Sequence, residues 1–580
     1  MASKSSPPAA SSSSSSPSAS PKSVPKVTRI VFTALLLDIL AFTIILPLFP
    51  RLLQFYRDSE HGDQTSLLAW SLSRLTEFQS AIGLNDAKTP SSSSIKRPPK
   101  MDIVLLGGAL GSLFSVLQFI ASPVIGKLSD VLGRRRVLLI SMLGNLISCA
   151  VWLFSSSFDL FVLSRIIGGL SEGNVQLSIA MISDITTPAT RSRGLAMVGI
   201  AFAIAFTIGP ALGAYFANKD LVAAFPGLAQ YGLHPFSGSA LLALVLLTVE
   251  SLYLYVKLPE TNSESWRVAV QQTVQEETAA DSGSSSSSTP VTNGSSTAVK
   301  STPSSYSPAP TAGLDQEEIQ ALQQSYLSRL SFTHFAHLFL FSGMEFTLTF
   351  LTFHLFDFSH MQQGALLGYI GILSSLLQGG YVRRRAHIVG EKRMVLQGMV
   401  AAALGLGSIA LVSGGGGATT YLLGDKFLLP AWMIDAIWWL DTQEWSRKTR
   451  MWGLYAGATG LAVTSATVVN CLTSLASLVC DMGSDDSLPS PTSSKPSTAN
   501  KKQQPIGKGL ALGRFRSWGQ LGRAAGPIAA CSLYWRVGPL ICYGAASAAV
   551  FAITFLASRI LPEVRKLPIR TRAASTKKGQ

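Results

Sequence analysis

Apolar runs of about 20 residues, the length a helix needs to cross the ~30 Å hydrocarbon core of a bilayer, recur along this chain and leave it few folds. They stand near residues 30–50, 102–123, 137–157, 160–183, 195–217 and 237–257. They return near 332–353, 363–381, 394–412, 453–478, 513–535 and 538–560. Inside a bilayer each span must satisfy its own backbone N–H and C=O groups, which a helix does. An all-α membrane protein is therefore expected, with twelve transmembrane helices in two six-helix bundles. Charged residues make up 14% of the chain, against roughly 25% in an ordinary soluble domain, so composition points the same way.

The expected organisation is a disordered tail over 1–28, a bundle over 29–261, a linker over 262–330, a second bundle over 331–562 and a tail over 563–580. The stretch 262–313 is rich in Ser, Thr and Pro and cannot bury enough apolar surface to order itself. Beyond it, residues 314–322 read as a short amphipathic helix on the inner membrane surface, with Asp315 capping, Glu318 three residues on, and Ile319 and Leu322 sharing a face. Three other segments, 57–100, 413–450 and 482–508, look dispensable for the bundles. The middle one carries Trp432, Trp438, Trp439 and Trp445, a residue type that gathers at the headgroup layer. The first 25 residues lack the apolar core of a signal peptide.

A net charge of +15 would suit nucleic acid, but the basic residues lie between apolar runs rather than on a polar domain. Lys22, Lys26 and Arg29, Lys127 with Arg134–Arg136, Arg191 with Arg193, Arg383–Arg385 and the run over 501–516 fall in alternate connections. By the positive-inside rule these loops and both termini face the cytoplasm. The sequon at Asn293 would then stay unglycosylated. Five cysteines without paired spacing indicate neither a disulfide framework nor a zinc site.

Between the second and third runs stands Gly126-Lys-Leu-Ser-Asp-Val-Leu-Gly-Arg-Arg-Arg136. Gly126 and Gly133 suit points where backbones approach closely or φ turns positive. Asp130 beside Arg134, Arg135 and Arg136 offers an ion pair that can be made and broken. These residues are the expected cytoplasmic gate, with Asp184 at the same end as a further partner for the arginines. The second half echoes the turn as Gly379-Gly-Tyr-Val-Arg-Arg-Arg385 but lacks the Asp, leaving Glu391 as the acid to replace it.

Charges inside the apolar runs carry the chemistry. An Asp at the centre of a membrane helix costs roughly 2.5–3.5 kcal/mol, so it faces a cavity, finds a partner or takes a proton. Asp38 lies in such a place, and Glu345 is its counterpart in the second half. Arg165, Glu172 and Gln176 fall along one helical face and, with Asn174 and the embedded Arg523, are the candidate cavity residues. Arg165 is positioned to neutralise Asp38, to pair with Glu172 or to bind an anion. Arg516, two turns before Arg523, extends a basic stripe toward the cytoplasm. Gly209, Pro210 and Gly213 allow a kink and close packing. His334 and His337 are expected at the interface, at the start of their helix. No P-loop, catalytic triad or metal cluster is recognisable, so neither enzymatic activity nor a cofactor is expected.

Leu37-Asp-Ile-Leu40, the loop 126–136, Arg165-Ile-Ile-Gly-Gly169, the Gly209-Pro210 pair and Gly522-Arg-Ala-Ala-Gly-Pro527 together resemble the tetracycline-transporter-like branch of the major facilitator superfamily. Phe341-Ser-Gly-Met-Glu-Phe-Thr-Leu-Thr and Gly173-Asn-Val-Gln-Leu-Ser178 are similar to its eukaryotic side, and Ile208–Gly213 resembles the motif found in antiporters of the superfamily. The resemblance implies the major facilitator fold and a substrate bound between two rocking halves. It implies transport of amphipathic organic anions or drugs, with proton antiport as in its bacterial relatives, and the embedded acids Asp38 and Glu345 are the candidate proton carriers. The implied partners are the lipid bilayer, the substrate and protons. The chain is expected to work as a monomer in the plasma membrane or an internal one. A non-transporting scaffold of the same fold and a proton-independent uniporter are the alternatives.

Overall fold

The computed structural model describes residues 24–45, 48–60, 65–81, 101–217, 227, 232–263, 265–266, 268–270, 272–273, 316–358, 360–414, 446–482 and 507–563. All regular structure among them is helical: α1 (Val24–Thr43), α2 (Phe49–Ser59), α3 (Leu67–Ala81), α4 (Met101–Leu132), α5 (Arg134–Leu153), α6 (Phe158–Ser171), α7 (Asn174–Ile185), α8 (Pro188–Ala217) and α9 (Ser237–Lys257). The second half adds α10 (Gln316–Phe356), α11 (His360–Leu376), α12 (Arg383–Val389), α13 (Glu391–Ser413), α14 (Arg447–Cys480) and α15 (Lys508–Ile560). Nine helices among the described residues are long and apolar enough to cross a membrane. One of them, α15, is two helices joined at Gly538, where a φ of 83° changes the chain's direction. Short α1 and the pair α6–α7, broken at Glu172 and Gly173, complete the twelve crossings.

Two separate apolar cores divide the chain as the runs predict. One gathers buried residues from Val27 to Trp266. The other runs almost entirely from Ile319 to Leu561. The bundles meet where α4 lies along the first part of α15 and where α8 lies along α11.

The short surface helix expected at the end of the linker is not separate, because Gln316–Phe356 is one helix of 41 residues. Ile319 is buried in the second core, so the apolar face of this extension covers protein rather than membrane. Gln323 Nε2 donates to the Val479 and Cys480 carbonyls, 3.1 Å each, and caps the end of α14. The segment 57–100 is also more ordered than a polar loop, since it contains α3. Residues 1–23, 82–100, the four tryptophans of 432–445, the sequon and 564–580 lie outside the described residues, while 24–28, expected in the disordered tail, open α1 with Val27 buried.

Each half has a positive-φ glycine directly before its third crossing. Gly133 has φ 94° before Arg134, and Gly390 has φ 90° before Glu391. Glu391 therefore stands where the first half has Arg134. The expected counterpart Gly379–Arg385 falls earlier, in a π-helical segment, Leu377–Val382, that runs into α12.

Candidate functional site

At one end of the molecule the halves are locked by charge. Asp130 Oδ1 lies 2.8 Å from Arg134 Nη1, and its carboxylate accepts from Gly509 N and Leu510 N, 2.8 Å each. A first-half carboxylate thus caps the N-terminus of a second-half helix, where the free N–H groups and the dipole favour an anion. Arg134, 1% exposed, also donates from Nε to Asp184 at 3.0 Å, as the gate reading expects. Arg135 N and Arg134 N are held by Glu260, and Arg136 is exposed. Gly126 is required by contact: a Cβ there would meet the Gly509 backbone. Gly133 is required by conformation.

Further links reinforce this end. Arg191 pairs with Asp481, and Lys508 Nζ lies 3.0 Å from Asp481 and 3.8 Å from Asp184. Burial opposes charge on Asp481, yet Arg191 and Lys508 hold its carboxyl below the ordinary carboxylate range. Glu391 takes hydrogen bonds from the hydroxyls of Ser192 and Ser474 and makes no ion pair among the described residues. It therefore does not replace Asp130 as a charge latch.

Above the lock, between the bundles, lies a cavity of about 180 Å³. Gln176, Gly199 and Phe202 come from the first half, and His334, His337, Phe341, Phe515, Arg516 and Arg523 from the second. His334 stacks on Phe515 at 4.4 Å, and its Nδ1 is buried without a hydrogen-bond partner. The expected interfacial place of His334 and His337 is thus corrected: α10 starts at Gln316, so both lie deep within it and are buried. Glu345 continues the face of Leu338 and Phe341 one turn farther from the lock. Glu345 and Arg523 are both exposed and feel each other's charge, but no ion pair joins them.

The other predicted charges lie inside the first bundle. Asp38, Arg165, Glu172 and Asn145 line a second cavity of about 60 Å³, room for a few waters and not for a drug-sized molecule. Asp38 is buried and accepts from Asn174 Nδ2 at 2.8 Å, while Glu172 accepts from Asn145 Nδ2 at 3.2 Å. Asn174 therefore serves Asp38 rather than the central cavity. Arg165 lies over the rings of Trp152 and Phe161, 5.5 and 5.4 Å away, and pairs with neither acid. Of the five candidate cavity residues, Gln176 and Arg523 reach the central cavity.

Glu250 on α9 is a member of this acid group that the sequence reading passed over. It is 1% exposed, its Oε2 has no hydrogen-bond partner, and the charges it feels are those of Asp38 and Glu172. The signal was present, a lone acid within the apolar run 237–257. The Gly209-Pro210 segment sits in an uninterrupted α8. Its glycines make room for α1, since a Cβ at Gly209 or Gly213 would meet Thr43 or the Ile44 carbonyl.

A family model described as Major Facilitator Superfamily matches residues 31–476. The chain belongs to that superfamily. It is an integral multi-pass membrane protein of a transporter family, not an enzyme family. Mouse major facilitator superfamily domain-containing protein 10 is 34% identical over 538 residues, covering 92% of this chain and 93% of the relative. A crystal structure of the human organic anion transporter MFSD10 (TETRAN) superposes with a TM-score of 0.63 at 30% identity, over 92% of this chain and 99% of that one. The class H tetracycline resistance protein of Pasteurella multocida is 33% identical over 106 residues, 18% of this chain and 26% of its own. These matches place this superfamily member among transporters of the MFSD10 type.

Proposed function

We propose that the chain is a secondary active transporter of small amphipathic organic anions, coupled to protons and working by alternating access of its two bundles. The observation that carries the reading is the central cavity, where Arg516 and Arg523 stand among Phe202, Phe341 and Phe515 above a closed charge lock. Guanidinium groups supply donors for a carboxylate or sulfonate, and the rings take its apolar body. The solved relative, human MFSD10, is an organic anion transporter, which supports this class. Parallel six-helix halves rocking around a site near the midplane is how such repeats move substrate. The locked end is the cytoplasmic one by the charge of its loops. The cavity therefore opens to the outside or to a lumen, with both termini in the cytoplasm of a monomer in the plasma membrane or an internal one. Asp38 carries the transported proton, with Glu345 as a second candidate.

The test is flux into liposomes holding the full chain. Naphthalene-2-sulfonate, ionised at all working pH values, enters under a pH gradient, while the neutral naphthalene-2-sulfonamide does not. Arg523→Gln raises KM for the sulfonate about 10- to 100-fold, the loss of one charge-assisted hydrogen bond of about 1.5–3 kcal/mol. Asp38→Asn leaves the sulfonate bound but ends its gradient-driven movement. Equal flux of sulfonate and sulfonamide contradicts the substrate class, and gradient-driven flux in Asp38→Asn contradicts the proton assignment.

A further inference from the structure

The arginine run of the second half forms no latch and faces away from the protein. α11, the π-helical segment Leu377–Val382 and α12 follow one another without a break, and Gln362–Ala386 within them is long and apolar enough to cross a membrane. Arg383 lies about 30 Å of helix beyond Gln362, at the edge of a ~30 Å hydrocarbon core. The exposed surface agrees with that depth: it is apolar at Leu367, Ile372 and Leu376 and turns basic at Arg383, Arg384 and Arg385. Val382 and Ala386, one turn apart, are buried in the second core and hold the other face of α12 against the protein. Lys392 and exposed Arg393 stand just past the Gly390 turn. None of these five cations makes an ion pair among the described residues. Glu391, the acid in their midst, is buried and taken by the hydroxyls of Ser192 and Ser474.

The first-half turn is different. Arg134 is buried between Asp130 and Asp184, and Arg135 donates from Nη2 to the Tyr255 carbonyl at 2.7 Å and lies over the Tyr255 ring at 6.0 Å. Protein groups hold two arginines there, whereas all three of the second-half run are left exposed. We propose that Arg383, Arg384 and Arg385, with Lys392 and Arg393, bind the headgroups of anionic phospholipids in the leaflet at the locked end, the cytoplasmic leaflet on the orientation proposed above. A guanidinium can meet a phosphate through two parallel N–H···O bonds. Exposed Leu376, Tyr381 and Ile388 offer an apolar surface beside the arginines for the glycerol region and the acyl chains. Anionic lipids are the ones the cytoplasmic leaflet supplies. Ser192, which holds Glu391, follows Arg191 of the lock, so a lipid seated here braces the turn next to the gate.

The test is native mass spectrometry of the full chain in detergent, with equal amounts of phosphatidylserine and phosphatidylcholine carrying the same acyl chains. The wild type is expected to retain phosphatidylserine in preference, by about fivefold per arginine and up to about 100-fold for the three. Arg383→Gln combined with Arg384→Gln and Arg385→Gln removes the preference. Arg136→Gln, at the exposed arginine of the first-half turn, keeps it. Equal retention of the two lipids by the wild type, or a preference that survives the triple substitution, overturns the site. Should the triple variant fail to fold, the single substitutions decide: each lowers the preference about fivefold, and an unchanged preference in all three overturns the proposal. Displacement of the lipid by millimolar inorganic phosphate reassigns the arginines to a soluble anion and overturns the lipid assignment.

Discussion

The two bundles share a fold but set different charges around their cavities. The first keeps three acids, Asp38, Glu172 and Glu250, in one interior and stacks Arg165 of the small cavity on aromatic rings. The second turns Arg516, Arg523 and two histidines toward the space between the bundles. Their turns differ in the same sense. The first half sends Asp130 across to cap a second-half helix, whereas the second half sends Glu391 only to hydroxyls. On the function proposed above, Asp38 and the lock residue Asp130 belong to the first half, and the arginines proposed to hold the anion belong to the second.

The largest effect is expected where the lock is broken. Asp130→Ala removes the cap from Gly509 and Leu510 and leaves Arg134 buried with only Asp184 as a carboxylate partner. Stripping one partner from a buried pair costs about 3–5 kcal/mol, which destabilises the closed-gate state by a factor of about 100 to several thousand. Turnover collapses while sulfonate still binds, read by comparing liposome flux with calorimetric affinity. Loss of affinity equal to the loss of flux would place Asp130 in the binding site instead.

Gly126→Ala should come next, since its methyl meets the Gly509 backbone and forces α4 away from α15. Overpacking of this kind costs about 1–3 kcal/mol. It appears as greater labelling of a cysteine introduced at Ser517, which faces α4 through a 2.6 Å hydrogen bond to the Phe119 carbonyl. Unchanged labelling would remove close approach as the reason for the glycine. Glu391→Gln should change turnover less than about fivefold, because an amide still accepts from Ser192 and Ser474 and a neutral hydrogen bond is worth about 1 kcal/mol. A loss as large as that of Asp130→Ala would erase the asymmetry between the two turns.

The smallest effect concerns pH at the gate. Because the Asp481 carboxyl is held below its ordinary value in the closed gate, its contribution is complete above about pH 4 and fades only as pH falls through the lowered value. Gate closure should therefore be flat between pH 6 and 8, as judged by labelling of the same cysteine. A slope there would assign pH sensitivity to the lock rather than to the acids of the first bundle.

Much of this was legible in the residues. Apolar run length gives all twelve crossings, and Gly133, Asp130, Arg134 and Asp184 are drawn together as their types suggest. Spacing along a helix says which side chains share a face, not how far they stand from another helix. That is why Arg165 could be expected on Asp38 and yet lies on Trp152 and Phe161. His334 and His337 were misplaced because the polar turns at the start of α10 disguise a helix that continues unbroken. The register of the second-half turn was hidden because its glycine marker, Gly390, lies beyond the arginine run that first suggests the repeat.

The most direct test of the division between bundles is a structure of the full chain with naphthalene-2-sulfonate bound. The account predicts the sulfonate against Arg516 and Arg523, with its rings among Phe202, Phe341 and Phe515. Density for the anion beside Arg165 in the first bundle, with the central cavity empty, would contradict it.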